Sequence, residues 1–159
     1  KGKSRMPVAI MAMGIVFNLL NGMMQAGGLF YFAPEGLYAD GWAYLLKPHA
    51  LLGVILFFAG MFINLHSDYV IRHLRKPGDT KHYLPGKGLY RYVTSANYFG
   101  ELVEWTGFAI LTASPAAWVF VWWTFANLVP RADAIHCHYR EEFGDEAVGK
   151  RKRIIPFLY

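Results

Sequence analysis

The sequence predicts an all-α membrane protein, a polytopic helix bundle with four spans in this chain. Only 17% of its 159 residues are charged, against about 25% in soluble domains, and 55% are hydrophobic. No charged side chain lies between Arg5 and Glu35, and only Lys47 interrupts the stretch from Asp40 to Asp68. A spanning helix needs about 20 such residues, so each stretch is long enough for one span.

The four spans are expected at residues 6–30, 42–63, 92–112 and 116–129. Residues 92–130 carry only Glu101 and Glu104 as charges, and this stretch is long enough for two spans. The Ala113-Ser114-Pro115 sequence predicts the turn between them, because proline disfavours helix at the residue before it. The fourth span is short and is expected to continue as a helix over 131–143. Several glycines within the spans are typical of close helix contacts in membranes: Gly14, Gly22, Gly53 and Gly60.

The distribution of lysine and arginine predicts the orientation of the spans. These residues concentrate in 1–5, 72–91 and 150–153, which we expect to be cytoplasmic, whereas the 33–40 loop and the 113–115 turn face the other side. The basic pI of 9.4 therefore reflects membrane topology, and no nucleic-acid partner is expected. The single cysteine, Cys137, lies on the reducing side and has no partner for an internal disulfide.

Three groups of polar side chains stand out because buried ionisable groups are costly in a membrane. On helical spacing each group shares one face, within about 40 degrees for the first and about 60 degrees for the second. In the third group, His136 lies further round the helix than the other members but still near Tyr139. The groups are Asn64, Asp68 and Arg75; Asn97, Glu101 and Glu104; and Arg131, His138 and Tyr139 with His136.

Each of these residues alone could be a solvated interface residue or a packing partner. Because all three faces lie toward the cytoplasmic ends of their helices, we expect them to form one shared polar cavity open to the cytoplasm. Its carboxylates and amides suit hydroxyl and carboxamide groups. Arg75 and Arg131 suit phosphate, which the planar guanidinium binds in a bidentate manner. The cavity is therefore expected to bind a phosphorylated polar ligand.

No metal site is expected. The pairs His66 and Asp68, and His136 and His138, are spaced i, i+2, which points their side chains about 160 degrees apart on a helix. The chain has no Cys/His cluster or HExxH motif. It also has no P-loop or GxGxxG motif after a strand, so any nucleotide must be held by helices.

At these residues the sequence resembles the C-terminal portion of the steroid 5-alpha-reductase family. The resemblance covers essentially the whole chain in one register. It is carried by Asn21-Gly22, Asn64-Leu65-His66-Ser67-Asp68-Tyr69, Leu74-Arg75-Lys76-Pro77-Gly78, Tyr92-Val93-Thr94-Ser95-Ala96-Asn97-Tyr98-Phe99-Gly100-Glu101, Glu104-Trp105, Arg131-Ala132 and Ile155-Pro156-Phe157-Leu158-Tyr159.

The resemblance implies a seven-span fold with NADPH as cofactor in a cytoplasmic-side cavity. Residues 1–159 would then be its C-terminal transmembrane portion, holding most of the NADPH site. The implied cofactor-binding residues are Asn64, Asp68, Arg75, Asn97, Glu101, Arg131 and Tyr139, with His136 or His138 as the histidine near Arg131. The family's histidine four residues after that arginine is replaced here by Ile135, and a family loop tyrosine falls at His82 or Tyr83. The family's catalytic glutamate and tyrosine are expected in preceding spans outside this sequence.

The function implied is hydride transfer from NADPH to the carbon-carbon double bond of a 3-oxo-delta-4 steroid or related lipid enone, within the membrane lipid. The alternative is a membrane methyltransferase of the isoprenylcysteine carboxyl methyltransferase type, which uses S-adenosylmethionine and is faintly resembled by residues 139–146. That family's Arg-His-Pro-x-Tyr motif is missing, since residues 90–98 read YRYVTSANY. A non-enzymatic membrane scaffold would bind neither cofactor.

Overall fold

The computed structural model describes residues 7–76 and 78–159, and five α-helices make up most of this part of the chain. The helices are α1 (Val8–Phe30), α2 (Pro48–Arg72), α3 (Ala96–Thr112), α4 (Pro115–Phe143) and the short α5 (Asp145–Val148). Two 3₁₀ helices, Gly41–Leu46 and Gly88–Arg91, precede α2 and α3. No β-strand occurs in the described ranges, so the all-α prediction is confirmed there.

The four long helices coincide with the four predicted spans, but two of them begin later than predicted. We expected the second helix from Trp42, whereas α2 begins at Pro48, because Lys47 is extended and proline is favoured in the first turn of a helix. We expected the third helix from Tyr92, whereas α3 begins at Ala96, after a segment that pairs with the end of the chain. Met6, the expected start of the first span, lies outside the described residues.

The helix α4 is continuous from the predicted fourth span to Phe143, as expected from the sequence. Pro130 lies inside it and lacks the N–H that would complete the helical hydrogen-bond ladder at that turn. The helix ends at Gly144, whose φ of 84° lies in the left-handed region that glycine adopts without strain. Arg131 to Tyr139 therefore belong to the same helix as the apolar half.

In the described part of the chain, two helices are long and apolar enough to cross a membrane, namely α1 and α2. The helix α3 has 17 residues, and α4 is apolar in its first half and polar in its second half. Large apolar side chains are exposed on α1 and α2, among them Met13 and Phe62, as expected for surfaces that face lipid. The structure therefore indicates a membrane protein, while the number of spans stays a prediction.

The helices α2 and α3 are antiparallel and pack backbone against backbone through four glycines. A Cβ built on Gly60 would lie 2.2 Å from the Glu104 nitrogen, and one on Gly53 would lie 2.4 Å from the Leu111 nitrogen. From the other side, Gly100 and Gly107 lie equally close to the backbone of α2. The predicted role of Gly53 and Gly60 is thus confirmed. A Cβ on Gly14 or Gly22 would meet nothing within 4 Å among the described residues.

The end of α3 is held by two tyrosines from the segment between α1 and α2. Helix C-termini leave carbonyl groups without partners inside the helix. The Tyr38 hydroxyl donates to the Thr112 carbonyl at 2.5 Å, and the Tyr44 hydroxyl donates to the Leu111 carbonyl at 2.8 Å. Ala113 then adopts a left-handed conformation with φ 49°, which reverses the chain into α4.

The other end of α3 is fixed by a segment near the end of the sequence, residues 151–159, which we call the strap. Lys152 donates its backbone N–H to the Tyr92 carbonyl at 2.8 Å, and Thr94 donates to the Lys152 carbonyl at 2.8 Å. Arg153 pairs with Asp133 of α4. The buried side chain of Ile154 packs with Leu128 and Ala132. The strap therefore joins the start of α3 to the middle of α4.

Candidate functional site

The end of α2, the start of α3 and the second half of α4 lie at the same end of the bundle. The close packing of α2 and α3 sets this arrangement, since a Cβ on Gly100 would lie 2.5 Å from the Asn64 nitrogen. Asp68 follows one turn beyond Asn64, and its carboxylate lies 3.6 Å from the Arg72 guanidinium. The three polar helix faces predicted from the sequence thus lie at one end of the bundle.

A first cavity of about 440 Å³ lies between the end of α2, the 82–83 loop and α4, and we call it the loop cavity. Its polar lining includes the predicted residues Arg75 and Tyr139, together with Arg72, His82, Tyr83, His138 and Glu142. The loop is ordered locally, because the Tyr83 hydroxyl donates to the Asp79 carboxylate at 2.7 Å. The resemblance places a family loop tyrosine at His82 or Tyr83, and both of these residues line the cavity.

A second cavity of about 640 Å³ lies between α1, α3 and α4, and we call it the helix groove. Two of the predicted residues, Glu101 and Arg131, lie at its lining. The remaining lining is mostly apolar and aromatic: Ile10, Met13, Gly14, Phe17, Phe120, Trp123, Thr124, Asn127 and Leu128. An apolar groove with one acidic and one basic side chain at its lining suits a ligand with a large apolar body and few polar groups.

Tyr90 lies between the two sets of residues, and no spacing pattern in the sequence points to it. Its side chain is only 1% exposed, and its hydroxyl donates to the Asn97 side-chain oxygen at 3.4 Å. Burial raises the pKa of Tyr90, and the neighbouring Tyr139, Asp68 and Tyr98 raise it further. Burial, Glu142 and Tyr98 likewise raise the pKa of Tyr139. Both phenols are therefore protonated at neutral pH and can donate hydrogen bonds.

The predicted residues thus form a band rather than one closed pocket. It runs from Arg75 and Tyr139 at the loop cavity, past Tyr90, to Glu101 and Arg131 at the helix groove. Asn64, Asp68 and Asn97 lie along its middle, on α2 and the first turn of α3. Such a band can contact an elongated polar ligand at several points, with positively charged groups at both ends.

Comparisons with known proteins agree on one family. The sequence model of the family described as 3-oxo-5-alpha-steroid 4-dehydrogenase matches residues 4–159. The chain belongs to this family. It is 43% identical over 159 residues to 3-oxo-5-alpha-steroid 4-dehydrogenase 1 of Macaca fascicularis and to that of Homo sapiens. It is 37% identical over 162 residues to the steroid 5-alpha-reductase DET2 of Arabidopsis thaliana.

These matches cover all or nearly all of the chain but only 58% to 59% of each relative. The chain therefore spans little more than half the length of the curated relatives that it matches. The resemblance to the steroid 5-alpha-reductase family is confirmed. The methyltransferase alternative is not supported, since the family match and these relatives are steroid dehydrogenases or reductases.

Among the predicted residues of this family member, His136 lies apart from both cavities. It is 6% exposed, and its Nδ1 atom lies 3.3 Å from the Thr94 hydroxyl, beneath the strap. Burial lowers the pKa of His136, and the positive charges of Arg153 and Arg140 lower it further. In this structure the histidine contacts the strap junction, and His138 is the histidine that lines the loop cavity.

We expect acid to weaken the strap junction through His136. Because the folded state lowers the pKa of this group below its ordinary value of 6.5, the folded state binds the proton less tightly than the unfolded chain. The stability that His136 contributes is complete above pH 6.5 and is lost as the pH falls from there through the folded-state pKa. Thermal unfolding in detergent at pH 7.5 and 5.5 should show a smaller difference for His136→Gln than for the wild type.

The exposed His73 provides the control for this prediction. His73→Gln removes an exposed histidine that lies directly after α2, and it should unfold at the wild-type temperature at pH 7.5. An identical loss of stability in wild type and His136→Gln would contradict the role given to His136.

Proposed function

We propose that this protein is an integral membrane reductase that uses NADPH to reduce the carbon-carbon double bond of a 3-oxo-delta-4 steroid or related lipid enone. Membership of the 3-oxo-5-alpha-steroid 4-dehydrogenase family supports the reaction class. The observation that carries the proposal is the polar band, which joins an arginine-lined loop cavity to an apolar helix groove. The activity is proposed for the whole protein, because the curated relatives that carry these names are longer than this chain.

The residues present suit NADPH in type and position. Arg72 and Arg75 at the loop cavity can bind phosphate oxygens through charge-assisted hydrogen bonds. The protonated phenol of Tyr139 can donate to ribose or phosphate oxygens, and Asn97, whose side-chain oxygen accepts from Tyr90, offers its amide N–H groups to the carboxamide or ribose. NADPH would supply the hydride, while these residues bind and orient it.

The helix groove is the proposed binding place for the lipid part of the substrate. Phe17, Phe120 and Trp123 provide an apolar lining, and Glu101 and Arg131 lie at the polar side of the same groove. In this proposal four spans cross the membrane, the loop cavity faces the cytoplasm, and substrate enters from the lipid. We propose that the acid that polarises the substrate ketone lies outside residues 1–159.

Equilibrium binding of NADPH and of S-adenosylmethionine to the purified full-length protein in detergent tests the cofactor. We expect binding of NADPH alone. Arg75→Ala should weaken NADPH binding roughly ten- to hundred-fold, because a hydrogen bond to a charged group contributes about 1.5 to 3 kcal/mol. Glu101→Ala should also weaken it. Lys150→Ala is the control, since this exposed lysine lies outside both cavities.

The same preparation tests the reaction through oxidation of NADPH in the presence of testosterone or progesterone. Wild type should oxidise NADPH only when an enone is added. Unchanged NADPH affinity in both Arg75→Ala and Glu101→Ala would overturn the assignment of the site, and tight binding of S-adenosylmethionine in place of NADPH would overturn the proposed reaction class.

A further inference from the structure

Two histidines and a glutamate from separate parts of the chain converge at the rim of the loop cavity. The His82 Nδ1 atom lies 2.7 Å from one oxygen of Glu142, and the His138 Nε2 atom lies 3.3 Å from the other oxygen. One ligand-type atom from each of the three residues lies within 4.8 Å of the others. No metal site is expected from the sequence patterns, and this set of residues is not among the pairs weighed there.

The set has the composition of a metal site. Two imidazoles and one carboxylate are a ligand set that zinc uses where it keeps an open position. In a tetrahedral zinc site, ligand atoms at about 2.0 to 2.1 Å from the ion lie about 3.3 Å from each other. The distance from His138 to Glu142 is 3.3 Å, that from His82 to Glu142 is 2.7 Å, and one ligand atom from each residue lies within 4.8 Å of the others, so a small movement of the exposed side chains would enclose an ion.

The positions of the three residues also favour metal binding over a simple ion pair. His138 and Glu142 are spaced i, i+4 on α4, so they face the same side. His82 approaches from the loop between α2 and α3, and uses the carboxylate oxygen that His138 does not contact. All three residues are exposed, which leaves a path for an ion from solvent.

The surrounding charges define what the open position of such a site would accept. Arg72 and Arg75 line the same cavity and oppose a free cation, while they favour an anion or water bound to the ion. The free thiol of Cys137 is exposed next to His138 in sequence, so the test must separate it from the cluster.

We propose that His82, His138 and Glu142 bind a divalent transition-metal ion, with zinc as the preferred metal, and that the ion fixes the 82–83 loop to α4. This proposal goes beyond the proposed reductase function, because the ion would bind whether or not the protein uses NADPH. Its structural effect is to hold one wall of the loop cavity in place.

Titration of the full-length protein in detergent with Co²⁺, followed by visible absorption and by competition with Zn²⁺, tests the site without any cofactor. We expect one tightly bound ion per chain. His82→Gln and His138→Gln should each weaken binding at least about tenfold. Changing a residue that only hydrogen-bonds to a metal ligand already lowers metal affinity by about that factor, and these two residues are the ligands themselves. Both side chains are exposed, so neither substitution should disturb folding.

Two control variants complete the experiment. His73→Gln and Cys137→Ser should bind Co²⁺ as the wild type does. Bound Zn²⁺ should also slow tryptic cleavage at Lys81 and Lys87 in the wild type but not in His82→Gln. Equal affinity in the wild type, His82→Gln and His138→Gln would overturn the site, as would loss of binding in Cys137→Ser. Binding without slower cleavage would overturn the proposed attachment of the loop.

Discussion

Replacing Gly60 with leucine is expected to separate α2 from α3 and to cause a large loss of stability. A Cβ at this position would lie 2.2 Å from the nitrogen and 2.6 Å from the Cα of Glu104. Both atoms belong to backbone, so no side-chain rotation relieves the overlap. We expect a loss of about 3 kcal/mol, the upper end of the usual range for overpacking. Thermal unfolding in detergent and size-exclusion chromatography would measure it.

Gly86 offers a matched control for this substitution. It lies exposed in the loop before α3, and a Cβ built on it meets nothing within 4 Å among the described residues. Gly86→Ala should therefore unfold at the wild-type temperature. A Gly60→Leu protein that is as stable as Gly86→Ala would show that α2 and α3 are not in backbone contact.

Truncating Tyr90 to alanine is expected to cause a loss of stability at least as large, because it removes the centre of the polar band and a buried ring. The ring packs with Val70, Val93 and Ala96, and a buried aromatic residue changed to alanine costs about 3 to 5 kcal/mol. Tyr90→Phe keeps the ring and loses only the hydrogen bond to Asn97, which should cost about 1 kcal/mol. Unfolding measurements on both variants separate packing from hydrogen bonding.

Tyr31 is the control for the loss of a tyrosine ring, since it is 87% exposed. Tyr31→Ala should leave the unfolding temperature nearly unchanged. We also expect Tyr90→Phe to weaken NADPH binding while remaining folded, because the phenol positions the side chain of Asn97, one of the proposed cofactor residues. If Tyr90→Phe bound NADPH with wild-type affinity, the hydroxyl would have only a structural role.

The long helices could be predicted because their signal is local. Uncharged stretches of 20 residues and a proline turn at Pro115 are visible in the sequence without any knowledge of packing. The continuation of α4 beyond Pro130 was also predictable from helical spacing. The late start of α3 was not, because residues 92–95 pair with the strap, almost 60 residues further along the chain.

The candidate site shows the same division between local and distant information. Asn64 with Asp68, and Asn97 with Glu101, share helix faces by spacing alone. Tyr90 gave no such signal, since it lies in a short 3₁₀ helix and acquires its neighbours only when three helices meet. The position of His82 beside Glu142 also depends on how the loop folds over α4, which spacing cannot show.

The strap has a consequence for the order in which the molecule is completed during synthesis. A ribosome adds about 5 to 20 residues per second, so residues 151–159 are made some seconds after the segment that they pair with. Until then, the backbone N–H groups of Thr94 and Ser95 lack the carbonyl partners that they have in the finished structure. The start of α3 is thus among the last parts to be secured, although the glycine contacts of α2 and α3 can form much earlier.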